Sequence, residues 1–190
     1  LVCTRLSRPK MGEPFPSSSF KSQFNLITGL DIRFVANGMC GRLCRWLRLL
    51  GYDVKYAKNA PDEAVINAAR EGDRILLTSD DELYRKARSR DVRSLLIKEV
   101  DEARQLALVA RELGVDLHVD EALSRCPLCN SRIKPIGPDD VEGRVPESTL
   151  RSYRDFWICL GCGKVYWHGS HWRNIERVLA EANKIRSEEG

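Results

Sequence analysis

The chain has 190 residues, of which 43% are apolar and 31% charged, a balance that suits one folded core with a small appendage and excludes fibrous or wholly disordered classes. Its formal net charge is only +4, with 16 basic and 16 acidic residues in 31–120 and most of the excess in residues 1–30, so no domain-wide basic field marks it as a general nucleic-acid binder. The longest apolar runs, such as "LALVA" and "SLLI", fall far below the ~18 residues of a membrane span and no apolar signal segment opens the sequence, so a cytoplasmic protein without a membrane partner is expected.

Residues 1–30 hold Pro, Ser and Gly without periodicity and are predicted to form a flexible tail, within which Met11 offers an alternative start. The apolar run "IRFVA" at 32–36 predicts the first strand. Met39, Leu43, Leu47 and Leu50 then recur on one face of a helix over 39–50. The alternation continues with a strand at 53–57, a helix over 62–71, a strand at 74–78, a helix over 81–89, a strand at 92–97 and a helix over 101–113. Gly51, Gly72 and Gly114 end three of these helices. Strands alternating with helices predict an α/β domain over 31–120, with a mainly parallel sheet flanked by helices. After Asp120 the composition shifts to cysteine pairs, Pro, Gly and aromatics, which predicts a second, smaller unit over 121–190 ending in a helix near 173–185.

Within that unit Cys126 and Cys129 form one C-x2-C pair and Cys159 and Cys162 another, with 29 residues between them. Each pair sits in a turn-forming context, "CPLC" and "CLGCG", that aims two thiolates at one point, so the four are read as ligands of a structural zinc ion. Two redox disulfides are the weaker reading, because a cytosolic protein keeps its thiols reduced. Cys3, Cys40 and Cys44 stand outside the pattern, and the i, i+4 pair Cys40 and Cys44 reads as small buried apolar residues. With four sulfurs available, no histidine is needed on the metal. His168 and His171 instead read as a surface site among Tyr166, Trp167 and Trp172 that stacks bases or touches phosphate, whereas Tyr166 and Trp167 are expected mainly to pack the small unit. His118 reads as an ordinary strand or loop residue.

A parallel sheet would bring Asn37, Asp62, Glu63, Asp80 and Asp81 to its carboxyl edge, with Glu99 and Asp101 in reach. Carboxylates gathered in this way repel one another unless a cation neutralises them, so the cluster points to Mg²⁺ or Mn²⁺, an ion that lowers the pKa of bound water and stabilises charge on a phosphodiester under attack. Asp62, Asp81 and Glu82 also suit the first turn of a helix, where acids complement the dipole, while Asp80 is assigned to function. Arg42, Arg45 and Arg48 recur every third residue on the first helix, and Arg85, Lys86, Arg88 and Arg90 follow Asp80. Such charges usually form a solvated flank, but beside a metal site they also suit contacts to a phosphate backbone.

Taken together, "FVANGMCGRLCRWLRLLGYD", "GDRILLTSDDEL", "CPLCNSRI" and "FWICLGCGKVYWHGSHW" resemble the Mut7-C family, a PIN-like ribonuclease domain with a C-terminal zinc ribbon, over about residues 32–175. The resemblance implies a PIN-like α/β fold, divalent-metal-dependent cleavage of RNA, and RNA as partner. It implies that Asp62, with Glu63 beside it, and Asp80, in the T-x-D motif with Thr78, are metal ligands, with Asp81 as a further acid. Arg45, Trp46 and Arg48 match the R-W-L-R signature, and the four cysteines match the zinc ribbon. Cys40 and Cys44 replace residues usually Leu and Ala. Asn37 falls where the pattern F-x-x-D-x-M-L-G has its first aspartate. An amide keeps one oxygen ligand and removes a negative charge, so metal affinity and water activation should fall. Three readings stay open: an inactivated chain, activity carried by the remaining acids, or deamidation favoured by the flexible Gly38.

Overall fold

The computed structural model describes residues 32–189; the predicted tail, with Cys3 and Met11, lies outside the described residues. Four strands form one parallel sheet: β1 (Arg33–Asn37), β2 (Asp53–Ala57), β3 (Ile75–Thr78) and β4 (Ser94–Leu96), in the order β2-β1-β3-β4. Between and after them run α1 (Gly41–Leu49), α2 (Asp62–Glu71), α3 (Asp81–Arg88) and α4 (Glu102–Leu113). Successive side chains of β1 face opposite ways. Phe34 and Ala36 join Ile75 and Leu77 in one buried cluster, closed by Leu43 and Leu47 of α1 and Leu106 and Val109 of α4. Val35 joins Leu76 in a second, closed by Val65 and Ile66 of α2 and Leu83 and Ala87 of α3. Burial on both faces is what makes these strands read as unbroken apolar runs.

The helix predicted from Met39 opens instead with a 3-10 turn over Gly38–Cys40, and Met39, expected on the core face, is 69% exposed. The cause is local. The Asn37 side chain accepts from the Met39 N–H and caps the turn, which rotates Met39 outward. A glycine is required next to it, since a Cβ at Gly38 would stand 2.4 Å from the Lys58 carbonyl oxygen.

The second unit contains a three-stranded antiparallel sheet of β5 (Ile133–Ile136), β6 (Phe156–Cys159) and β7 (Val165–Tyr166), with a short helix α5 (Glu147–Ser152). Its core is small: Val141, Phe156 and Val165, with Trp167 and others packed around them. The last helix, α6 (Trp172–Glu189), is grouped with this unit by sequence order, yet Val178, Leu179 and Ala182 join the first cluster beside α4. Its apolar stripe, extended by Ile175 and Ile185, is larger than so small a core can cover. The chain therefore leaves the α/β domain, builds the cysteine unit and returns to the domain's core. No described helix is long and apolar enough to cross a membrane.

Candidate active edge and cysteine centre

The parallel order places the end of β1, the start of α2 and the start of α3 at one edge of the sheet. Asn37 is buried there, its Oδ1 3.3 Å from the Met39 N–H. Asp62 is a first-turn acid of α2, behind the N-cap Pro61. Asp80 is the N-cap of α3: its Oδ1 accepts from the N–H groups of Glu82 (2.8 Å) and Leu83 (3.2 Å). Thr78 Oγ1 accepts from the Asp80 N–H at 3.1 Å, which fixes the turn between strand and helix. The residue expected to serve chemistry thus also holds a helix end, with one carboxylate oxygen. Asp101 does the same for α4 through Ala103 and Arg104.

Three of the acids at this edge, Asp62, Glu63 and Asp81, are neutralised by the chain itself. Lys86 Nζ lies 2.9 Å from Asp62 Oδ2, Arg90 pairs with Glu63 through both of its terminal nitrogens, and Lys98 pairs with Asp81. The Arg90 hydrogen bond holds the Glu63 carboxyl below its usual range, and the bond to Asp62 raises Lys86. Asp62, Asp80 and Asp81 do not form a close ligand group; among the described residues the four cysteines alone do. The sequence reading missed these pairings. Lys86 and Arg90 belong to the run "RKARSR", whereas Lys98 stands outside it.

The arginine row divides. Arg42 is exposed, reaching Glu102 at 3.4 Å, and Arg45 is exposed beside it. Arg48, expected to contact phosphate with them, is 5% exposed and occupied elsewhere. It donates to the Val54 carbonyl from Nε (3.1 Å) and its second terminal nitrogen (2.8 Å), and to the carbonyls of Pro127 and Leu128 at 3.0 Å each. Three residues of helix turn through about 300°, so each step slips the row by about 60°, and the third arginine reaches the buried side near Cys44. Arg48 is a clamp between α1, β2 and the first cysteine turn. Asn130 joins it, accepting from the Val54 N–H (3.1 Å) and donating to Asp53 Oδ1 (2.6 Å).

The four cysteine Sγ atoms lie within 4.8 Å of one another. The closest pairs cross between the two turns, Cys126 to Cys162 at 3.6 Å and Cys129 to Cys159 at 3.3 Å. A tetrahedral zinc with sulfurs at about 2.3 Å sets its ligands about 3.8 Å apart, close to these separations, whereas a disulfide requires about 2.05 Å. Backbone N–H groups point at the sulfurs: Cys129 to Cys126 at 3.5 Å, and Gly161 and Cys162 to Cys159 at 3.3 Å each. Hydrogen bonds from Ser131 bring the Cys129 thiol down to about 6, and burial pushes Cys159 up to about 12. The Tyr166 hydroxyl lies 3.0 Å from Cys126 Sγ, and burial, then that contact, raises its pKa. The site can hold zinc. Trp167 packs on the small core as expected, while His171 is exposed at the start of α6.

Comparison with known proteins gives one finding. No curated protein and no solved structure matches, whereas the model of the family described as the Mut7-C RNAse domain matches residues 32–179. That span runs from the residue before β1 into α6 and takes in both the parallel sheet and the cysteine centre. The chain therefore belongs to the Mut7-C RNAse domain family.

Proposed function

We propose that the chain is a divalent-metal-dependent RNA endonuclease of cytoplasmic setting, with its reacting centre at the carboxyl edge of the parallel sheet. The family supports RNA as substrate. The observation that carries the reading is the convergence of β1, α2 and α3 on that edge, with a hard oxygen donor at each: Asn37 ending β1, Asp62 starting α2 and Asp80 capping α3. Oxygen donors of this kind suit Mg²⁺ or Mn²⁺. Asp80 uses Oδ1 for its helix and keeps Oδ2 for an ion; Asp62 would exchange Lys86 for it. A bound divalent ion supplies an acidified water and charge stabilisation at the phosphate. Arg42 and Arg45, exposed on α1 directly after the edge, would hold the backbone of the RNA. The four cysteines would hold a structural zinc.

A second reading is a non-catalytic RNA-binding module. Its support is the amide at Asn37 together with the chain's own cations on Asp62, Glu63 and Asp81. Cleavage of labelled single-stranded and hairpin RNA with added Mn²⁺ or Mg²⁺, or none, separates the two. The nuclease reading expects Asn37→Asp to raise cleavage and Asp80→Asn, which keeps a competent cap, to abolish it. Full activity in Asp80→Asn would overturn the site. Tight binding without cleavage by either form would favour the module.

A further inference from the structure

A cavity of about 210 Å³ lies where the cysteine unit meets α1 and α6. One wall is a stack of three flat rings. His168 is sandwiched between Trp157, centroids 4.8 Å apart and 25° from parallel, and Trp172, at 3.7 Å and 17°. Glu121, 3.6 Å from His168 Nε2, and the exposed His171 supply polar groups to the same lining. Leu49, Pro127 and Ile175 line both this cavity and an adjoining groove of about 290 Å³, whose other lining includes Arg42, Arg45 and Trp46. The groove follows α1 for its length, about 12 Å from Gly41 to Leu49, and Gly41 follows the Asn37 edge within one turn.

We propose that this cavity receives one unpaired nucleobase of an RNA strand that leaves the active edge along Arg42 and Arg45. The inference rests on the RNA reading above and adds to it a second contact point, in a different unit of the molecule. Charge and shape select the occupant. Exposed arginines without a full complement of acids track a phosphate backbone, and flat aromatic walls in a mainly apolar lining with a few polar groups at hand accept a planar heterocycle with hydrogen-bonding edges. A paired base cannot enter, because its faces are already stacked and its edge is used, so the site favours single strands, loops or ends. His168, held on both faces by tryptophans, is the rigid centre of the stack, and His171 and Glu121 address the base edge.

The test uses the full chain without added divalent ions, so that strands stay intact and zinc is not stripped. Binding of a short single-stranded RNA is measured as each nucleotide in turn is replaced by an abasic unit. The proposal expects one position at which base removal weakens binding about tenfold or more, consistent with the size of base–aromatic stacking. It expects that penalty to vanish in Trp172→Ala and to return in Trp172→Phe. Binding in which every abasic position is equivalent overturns the pocket and leaves the RNA reading standing. Failure of the unmodified chain to bind or cleave any RNA overturns both. The abasic series is read on the unmodified protein, so poor folding of a tryptophan variant cannot hide the answer.

Discussion

The cysteine centre and the acidic carboxyl edge are built in opposite ways. At the cysteine centre, four sulfurs converge within 4.8 Å and backbone N–H groups already face them, so short turns impose the geometry. At the carboxyl edge, acids arrive from different elements brought together only by sheet order, and each of Asp62, Glu63 and Asp81 is satisfied by a lysine or arginine. A site encoded in turns is legible from spacing and is ready for its ion. A cluster encoded in topology is self-neutralised in the free chain, and under the nuclease reading an ion and a substrate would compete for its acids.

The contrast is broken most severely at the sulfurs. Cys159→Ser is expected to lose bound zinc and to melt the cysteine unit, since structural zinc contributes on the order of 10 kcal/mol to folding of such units. Because Arg48 and Asn130 tie the first cysteine turn to Val54, amide exchange in β2 should accelerate too. Unchanged protection at β2 would show that the clamp does not transmit the loss. Next in size, Arg48→Met leaves three carbonyls without their donor and is expected to cost about 3–5 kcal/mol in denaturant unfolding. A cost below about 0.5 kcal/mol, the size of an ordinary surface change, would return Arg48 to the exposed row.

At the charged edge the effects are smaller. Lys86→Gln frees Asp62 and should strengthen Mn²⁺ binding modestly, by an amount that fades with added salt. Weaker Mn²⁺ binding in this variant would mean that Lys86 supports the ion's site rather than competing for it. The smallest effect is a pH dependence at Asp53. Burial works against its charge, but hydrogen bonds from Arg74 and Asn130 outweigh burial and hold the carboxyl below its ordinary 3.8. A folded-state pKa below the unfolded one adds stability that is full above the ordinary value and is lost as pH falls below it, through the folded value. Unfolding measured between about pH 2 and 6 should show this loss in the native chain and a flatter profile in Asp53→Asn.

Most of the α/β order was legible because burial on both faces leaves unbroken apolar strands, as in "ILLT", and amphipathic helices between them. The cysteine cluster was legible because four residues of one reactive type recur at fixed spacing. Arg48 was misjudged because a period of three looks like one flank until the 60° slip is followed to its third member. The pairings Asp62–Lys86 and Glu63–Arg90 join neighbouring helices, and sequence spacing carries no information on which acid meets which base. Met39 failed for a local reason: an asparagine cap one residue before a glycine tightens the first turn and changes its facing. The return of α6 to the main core was hidden because the stretch of chain before it belongs to another unit.

β2 lies at the margin of the parallel sheet, with β1 on one side and no strand on the other. A bare margin of this kind offers unpaired N–H and C=O groups to any passing strand and invites self-association. Here the outward N–H of Val54 is taken by Asn130 and its carbonyl by Arg48. Both guards are held in place by the first cysteine turn. The cysteine unit therefore serves as a stopper for an open sheet, and a chain deprived of it would present β2 as a template for clumping with its neighbours.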